Sequence, residues 1–197
     1  MKHLFTRLAL PLTILCCVSD NAEAAPSYDF AQLTYQNTEY ADIPGFSLRG
    51  FATRLSTTIT PSMFVEANYS SSQDQHDGIT FKNPKWKLSL GYIQRLSAQT
   101  ALDYQVGLGN LEIDLSNQFV RQKEDANIIS YEVNIRHILN KEWEVYSGLE
   151  LQNWDIGSNQ KAYHLGALYD KQMIKVGMEY TKYSDSEIIG LTLRYEF

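Results

Sequence analysis

The sequence predicts an all-β chain: a ten-stranded antiparallel up-and-down β-barrel that crosses a membrane, with eight strands as the alternative count. Three observations carry this. Apolar and polar residues alternate with a period of two in ten separate segments. The connections between those segments are alternately long and short. Past the N-terminal leader, no apolar run approaches the roughly 20 residues that a membrane helix needs, and a chain that enters lipid without such helices has only a closed sheet left to it.

The leader is justified first. Lys2 and Arg7 precede an apolar stretch from Leu8 to Val18, followed by a polar segment and the small-residue pattern Ala22-Glu23-Ala24. This is the layout of a cleaved secretory signal, so residues 1–24 are expected to be removed and residues 25–197 to form the barrel domain. Cys16 and Cys17 both lie in the leader. A chain starting at Ala25 has no thiol, which excludes disulfides, thiolate nucleophiles and cysteine metal sites.

The strands follow in order. In segment 28–37, Ala31, Leu33 and Tyr35 share a face; in 45–55, Phe46, Leu48 and Ala52 are assigned to the outer face. Met63, Val65, Ala67 and Tyr69 oppose Phe64, Glu66 and Asn68. Trp86, Leu88, Leu90 and Tyr92 oppose Lys85, Lys87, Ser89, Gly91 and Arg95. Leu102, Tyr104, Val106 and Leu108 oppose Asp103, Gln105 and Gly107. Past Asn110 the apolar phase flips to Leu111, Ile113 and Leu115, which predicts a bulge or an extension beyond the membrane. Ile129, Tyr131, Val133 and Ile135 oppose Ser130, Glu132, Asn134 and Arg136. Trp143, Val145, Leu149 and Leu151 oppose Glu144, Tyr146 and Glu150, with Ser147 breaking the apolar face. Tyr163, Leu165, Ala167 and Tyr169 alternate with His164 and Gly166, and Ile174, Val176, Met178 and Tyr180 with Lys175 and Glu179. Ile189, Leu191, Leu193, Tyr195 and Phe197 close the series.

Period two alone is shared with soluble barrels; the connections and aromatics choose between them. The long connections, at about 38–44, 71–84, 115–126, 155–160 and 184–187, fall at one end, and the short ones, at about 57–61, 97–99, 140–142 and 170–171, at the other. Outer-membrane barrels sort their loops in this way. Tyr35, Tyr69, Trp86, Tyr163 and Tyr180 fall toward the loop end, and Tyr104, Trp143, Tyr169, Tyr195 and Phe197 toward the turn end, as two interfacial girdles.

With the apolar face outward, the lumen receives Glu66, Asp103, Glu132, Glu144, Glu150, Glu179 and Glu196 against Arg49, Lys85, Lys87, Arg95, Arg136, Lys175 and Arg194. The two signs balance, which predicts cross-barrel ion pairs that fill the lumen rather than a ring of one sign. Arg54 and His137 carry outward parity near the turn end, where a charge costs about 0–1 kcal/mol.

Other chemistry is sparse. Lysine and arginine number 17 against 23 acids, a net charge of −6 with no basic run, which leaves no footprint for nucleic acid. His76, within Asp74-Gln75-His76-Asp77, is the one His–carboxylate arrangement on a loop; adjacent residues on a polar loop are ordinarily solvated, and no catalytic residue is assigned. His164 reads as a hydrogen-bonded lumen filler. No metal spacing, phosphate loop or cofactor motif is present.

The C-terminal run Ile189-Gly190-Leu191-Thr192-Leu193-Arg194-Tyr195-Glu196-Phe197 resembles the terminal strand of Gram-negative outer-membrane barrels, and Leu88-Ser89-Leu90-Gly91-Tyr92 and Val176-Gly177-Met178-Glu179-Tyr180 resemble the small OmpX-like and OmpA-barrel-like family. That resemblance implies an outer-membrane address, lipid and lipopolysaccharide as neighbours, and delivery by periplasmic chaperones to the barrel assembly machinery. It also implies that Leu191, Leu193, Tyr195 and Phe197 form the assembly signal. The ten strands depart from the eight of those relatives. The function expected is a non-enzymatic barrel with a largely occluded, charge-paired lumen, serving envelope integrity or surface interaction through loops 71–84 and 115–126. The alternative is a narrow porin-like channel for ions or small solutes.

Overall fold

A computed structural model describes residues 25–40, 47–76, 78–117, 119–171 and 173–197. The leader at 1–24 lies outside the described residues. Eleven strand segments form one antiparallel sheet: β1 (Phe30–Tyr40), β2 (Ser47–Thr60), β3 (Met63–His76), β4 (Ile79–Lys82), β5 (Lys85–Arg95), β6 (Thr100–Ser116), β7 (Arg121–Ile138), β8 (Trp143–Trp154), β9 (Gln160–Lys171), β10 (Ile174–Tyr183) and β11 (Ser186–Glu196).

Segments β4 and β5 are two pieces of one strand. Gln73 pairs Lys82 and Ser70 pairs Lys85, while Lys82 pairs Asp114 and Lys85 pairs Leu111, so the register is the same on either side of the break. The interruption falls at Asn83-Pro84, where proline has no N–H to donate. Even there Asn83 N donates to Ser72 O and Pro84 O accepts from Glu112 N. Ten strands therefore make the barrel, and β1 closes it by pairing β2 from Phe30 to Glu39 on one side and β11 from Phe30 to Tyr40 on the other.

The distribution of side chains is inverted relative to a soluble protein. Glu144 and Arg194 are 2 % exposed, while Leu108 and Leu149 are 60 % and 66 % exposed. Water outside would leave a belt of leucine, isoleucine and valine unburied all round the sheet, which a soluble monomer does not carry. Lipid outside removes the conflict. At the two ends of the belt, Trp143 lies 5.2 Å from Tyr169 and Tyr163 lies 6.1 Å from Tyr180, ring centre to ring centre, at the girdle positions.

Three expectations are corrected. In β2 the phase is the reverse of that expected: Leu48 and Ala52 face inward, and Phe51 and Leu55 face lipid. The pairing Tyr35↔Phe51 and Ala31↔Leu55 fixes this, because a one-residue slip would exchange the two faces. Arg54 consequently points into the lumen, and Arg49 is exposed. Second, of the two readings of the phase flip past Asn110 the bulge is absent and the extension beyond the membrane holds: β6 stays in register with β7 from Thr100↔His137 to Ser116↔Arg121, and Leu111 and Ile113 keep inward parity. Third, most of 71–84 and 115–126 is strand rather than loop. With 17 and 18 residues, β6 and β7 exceed the roughly 9–11 that span a bilayer, so the hairpin stands beyond it. There Arg121 binds Asp114, and Lys123 Nζ lies 2.6 Å from Glu112.

Candidate functional site: the barrel lumen

The turn end is sealed by the chain's own beginning. Residues 25–29 turn in under the barrel, burying Tyr28 against Phe64 with ring centres 4.7 Å apart and with Ile93 and Ala101 beside them. Tyr28 OH donates to Asp103 Oδ2 at 2.9 Å, and Asp103 also accepts from Asn134 and Gln105. Arg136 lies over the Tyr28 ring and donates to Ser27 O at 2.6 Å. At the rim Asp29 accepts from Thr58 N at 2.7 Å and from the Thr57 hydroxyl at 3.0 Å. Alternation along β3 puts Phe64 inward among charges, which only makes sense once a ring from outside the sheet packs on it.

This packing needs a neighbour without a side chain. Gly91 sits beside Phe64 on the adjacent strand, and a Cβ there would stand 2.2 Å from the phenyl edge. Higher up, Gly166 gives the same clearance to Tyr146, whose hydroxyl donates to Glu179 Oε2 at 2.7 Å.

Joined to the plug through Arg136 is an ionic layer centred on Glu144. Arg136 Nε donates to its Oε1 at 2.8 Å, Lys175 Nζ to its Oε2 at 2.9 Å, and Arg194 Nη1 lies 3.7 Å from Oε1. Lys175 reaches Glu196 at 2.8 Å and Asp170 at 3.7 Å as well, and Arg194 Nε donates to Gln32 at 2.9 Å. A second layer sets Arg54 between Glu66 at 3.5 Å and Glu179 at 3.8 Å. A third sets Lys87 between Glu132 at 2.9 Å and Glu150 at 2.7 Å, with His164 Nε2 4.0 Å from Glu132. Charges of this kind are tolerable in a low-dielectric interior only when each finds its counter-ion.

The structure thus brings together Glu66, Lys87, Asp103, Glu132, Arg136, Glu144, Glu150, Lys175, Glu179, Arg194 and Glu196. Lys85 also points inward, donating to Gln152 Oε1 at 3.1 Å. Arg49 and Arg95 stand outside the network: Arg49 faces outward because of the β2 phase, and Arg95 has inward parity but is exposed at the turn end. Sequence reasoning missed Arg54, Asp170 and the plug residue Tyr28. Register in β2 would have found Arg54; nothing local marks Tyr28, which lies before the first strand. His137 keeps outward parity and holds the Thr100 hydroxyl at 2.8 Å. His76 ends β3 at the hairpin tip, its backbone paired with Ile79, and its side chain and Asp77 lie outside the described residues. Leu191, Leu193 and Tyr195 face lipid in β11, with Phe197 exposed beyond it. Among the described residues no group of three or more His, Cys, Asp and Glu is placed to hold a metal ion.

At the loop end, outside the bilayer, Asp155 accepts from Asn127 N at 2.8 Å and Asn127 Nδ2 at 2.7 Å. The side-chain and backbone bonds from Asn127 stabilise the carboxylate and hold its pKa below the ordinary 3.8. A depressed folded-state pKa means that the tether is intact above the unfolded value and lost as pH falls through the folded one. The Asn127 amide is therefore expected to be protected from hydrogen exchange near neutrality and to lose that protection only below pH 3.8. Asp155→Ala should abolish the protection at every pH. Exchange measured by mass spectrometry on the refolded barrel checks both.

Residues 8–181 match the family profile described as Outer membrane protein beta-barrel domain. Among solved structures, the NanC porin superposes with a TM-score of 0.55 at 6 % identity, covering 85 % of this chain and 100 % of that one. The attachment invasion locus protein Ail of Yersinia pestis gives 0.47 at 10 % identity over 84 % and 95 %. The N-terminal β-barrel domain of Pseudomonas aeruginosa OprF gives 0.45 at 11 % over 86 % and 98 %. At such identities the likeness concerns the fold alone. No curated protein matches by sequence. With lipid-facing leucines outside, paired charges inside and the family profile covering most of its length, the chain belongs to the outer membrane protein β-barrel domain family, integral barrels of the Gram-negative outer membrane.

Proposed function

We propose that this barrel is a non-enzymatic outer-membrane protein whose lumen does not conduct, and that it serves envelope integrity or surface interaction through the hairpins at 71–84 and 115–126. The observation that carries the reading is the closure of the turn half by the Tyr28–Phe64 plug together with the Glu144 ion layer, joined to it through Arg136. In this reading the outer surface meets lipid and lipopolysaccharide, the residues Leu191, Leu193, Tyr195 and Phe197 are the signal for the assembly machinery after chaperone delivery, and the projecting β6–β7 hairpin offers the contact surface. Rigid scaffolds commonly carry recognition on such projections.

A cavity of 280 Å³ in the loop half of the lumen favours a second reading, a narrow porin-like channel. Planar-bilayer recording of the refolded barrel separates the two. Occlusion predicts a flat baseline. Unitary steps in the unaltered protein that change size in Arg194→Gln or Glu179→Gln would replace the first reading with the second.

A further inference from the structure

Besides the paired charges Arg54, Lys87, Glu132, Glu150 and Glu179, the cavity in the loop half is lined by chemistry that the ion pairing does not use. Its β1 wall is neutral and polar, formed by Thr34, Gln36 and Thr38, and Tyr40, Phe81, Trp154 and Tyr183 supply aromatic rings. From β8 and β9, Gln152 and Gln160 reach it, 1 % and 8 % exposed. Gln152 Oε1 already accepts from Lys85 Nζ and from Trp154 Nε1, both at 3.1 Å, but its Nε2 has no partner. Gln160 is the reverse case: Nε2 donates to Asp185 Oδ2 at 3.0 Å, and Oε1 has no partner. The site therefore holds one unused donor and one unused acceptor, both shut off from water, and such groups are costly to leave unmatched.

The kind of ligand follows from that pairing. A carboxylate brings only acceptors and an ammonium only donors, so either would leave one glutamine unanswered; a hydroxyl brings both. Of the charges that line the cavity, Lys87 is engaged with Glu132 and Glu150, Arg54 with Glu66 and Glu179, and Asp185 with Gln160 and Ser186, while Lys85, which meets no carboxylate among the described residues, donates to Gln152 Oε1 and lies over the Tyr183 ring. Aromatic walls suit a ring with apolar C–H faces. The terminal torsion of glutamine is broad, so a modest turn presents either amide to the cavity. A volume of 280 Å³ is near the bottom of the roughly 300–1,000 Å³ of small-molecule pockets, room for one ring and not for a chain of them.

The geometry points to a binding site for a single neutral pyranose-sized sugar unit, held by Gln152 and Gln160 and flanked by Trp154 and Tyr183. This goes beyond the occlusion reading and does not depend on it: conductance is decided by the turn half and binding by the loop half.

Trp154 is the built-in reporter. The other two tryptophans, Trp86 and Trp143, face outward, so Trp86→Phe with Trp143→Phe leaves Trp154 alone in the refolded full barrel in detergent micelles. The probes are D-glucose, D-galactose, D-mannose and N-acetyl-D-glucosamine, with sodium acetate and ammonium chloride as ionic controls. A saturable change in Trp154 emission is expected with at least one sugar and with neither salt. In that background Gln152→Leu and Gln160→Leu should each weaken the apparent Kd at least tenfold, with folding verified by heat-modifiable gel migration. If Gln152→Leu does not fold, Gln160→Leu decides. The proposal is overturned by the absence of a saturable response to all four sugars, by acetate or ammonium acting as strongly as the sugars, or by an unchanged Kd in the folded leucine variants.

Discussion

Glu144→Ala is expected to be the most damaging single substitution in the barrel, with a loss of about 3–5 kcal/mol in unfolding free energy. Three cations, Arg136, Arg194 and Lys175, converge on that one carboxylate, and Glu144 is almost wholly enclosed. Removing it strands positive charge in a low-dielectric interior and also releases Arg136, which supports the plug through Ser27 and Tyr28. Urea unfolding of the refolded protein in micelles, followed by tryptophan emission, measures the loss, and heat-modifiable migration reports whether a barrel forms at all. Lys175→Met should cost less, because Glu144 keeps two arginines. The double substitution Glu144→Ala with Lys175→Met should be less damaging than the sum of the singles, since it removes one of the stranded charges. Additive losses would mean that the pair does not interact in the folded barrel.

Gly91→Leu is the second. The new side chain would occupy the space of the Phe64 ring, whose edge lies 2.2 Å from where a Cβ must sit. Overpacking a tight interior costs about 1–3 kcal/mol, and the upper end is expected because the displaced phenyl also loses its contact with Tyr28. Two readouts follow: a lower urea midpoint, and faster proteolysis of residues 25–29, which that contact anchors. Phe64→Ala in the Gly91→Leu background should recover part of the lost stability, because the smaller residue vacates the space that the leucine needs. A double variant less stable than either single would show that the two positions do not compete for one volume.

Legibility differed by strand, for physical reasons. From Ile174 to Thr181 in β10 and from Ile189 to Glu196 in β11 every outward position is apolar and every inward one polar or glycine, so the face assignment follows from local pattern. In β2 the apolar residues Leu48, Phe51, Ala52 and Leu55 divide between both parities, and pairing with β1 settles the face. That one inversion placed Arg49 inside and Arg54 outside when the opposite holds. The β6–β7 hairpin misled differently: its polarity flips past Asn110 while its backbone register does not, because the inward positions there face a partly apolar cavity and not the ion layers. The Asn83-Pro84 break reads locally as loop, and only the continuous register on both flanks shows it to be strand.

The sequence by itself determined the alternation, a property of residues two apart on one chain, and the strand number and outward apolar face, which follow from that alternation with the sorting of connections and aromatics to two ends. Which acid meets which base was decided only by the closed barrel. Glu144 sits 31 positions from Lys175, and Tyr28 sits 75 from Asp103. The curvature of the sheet and its register bring such residues together, and neither is encoded in the spacing of any single strand. The plug is the clearest case: a tyrosine outside every strand becomes buried because the lumen leaves a space beside Gly91 that the sheet's own side chains do not fill.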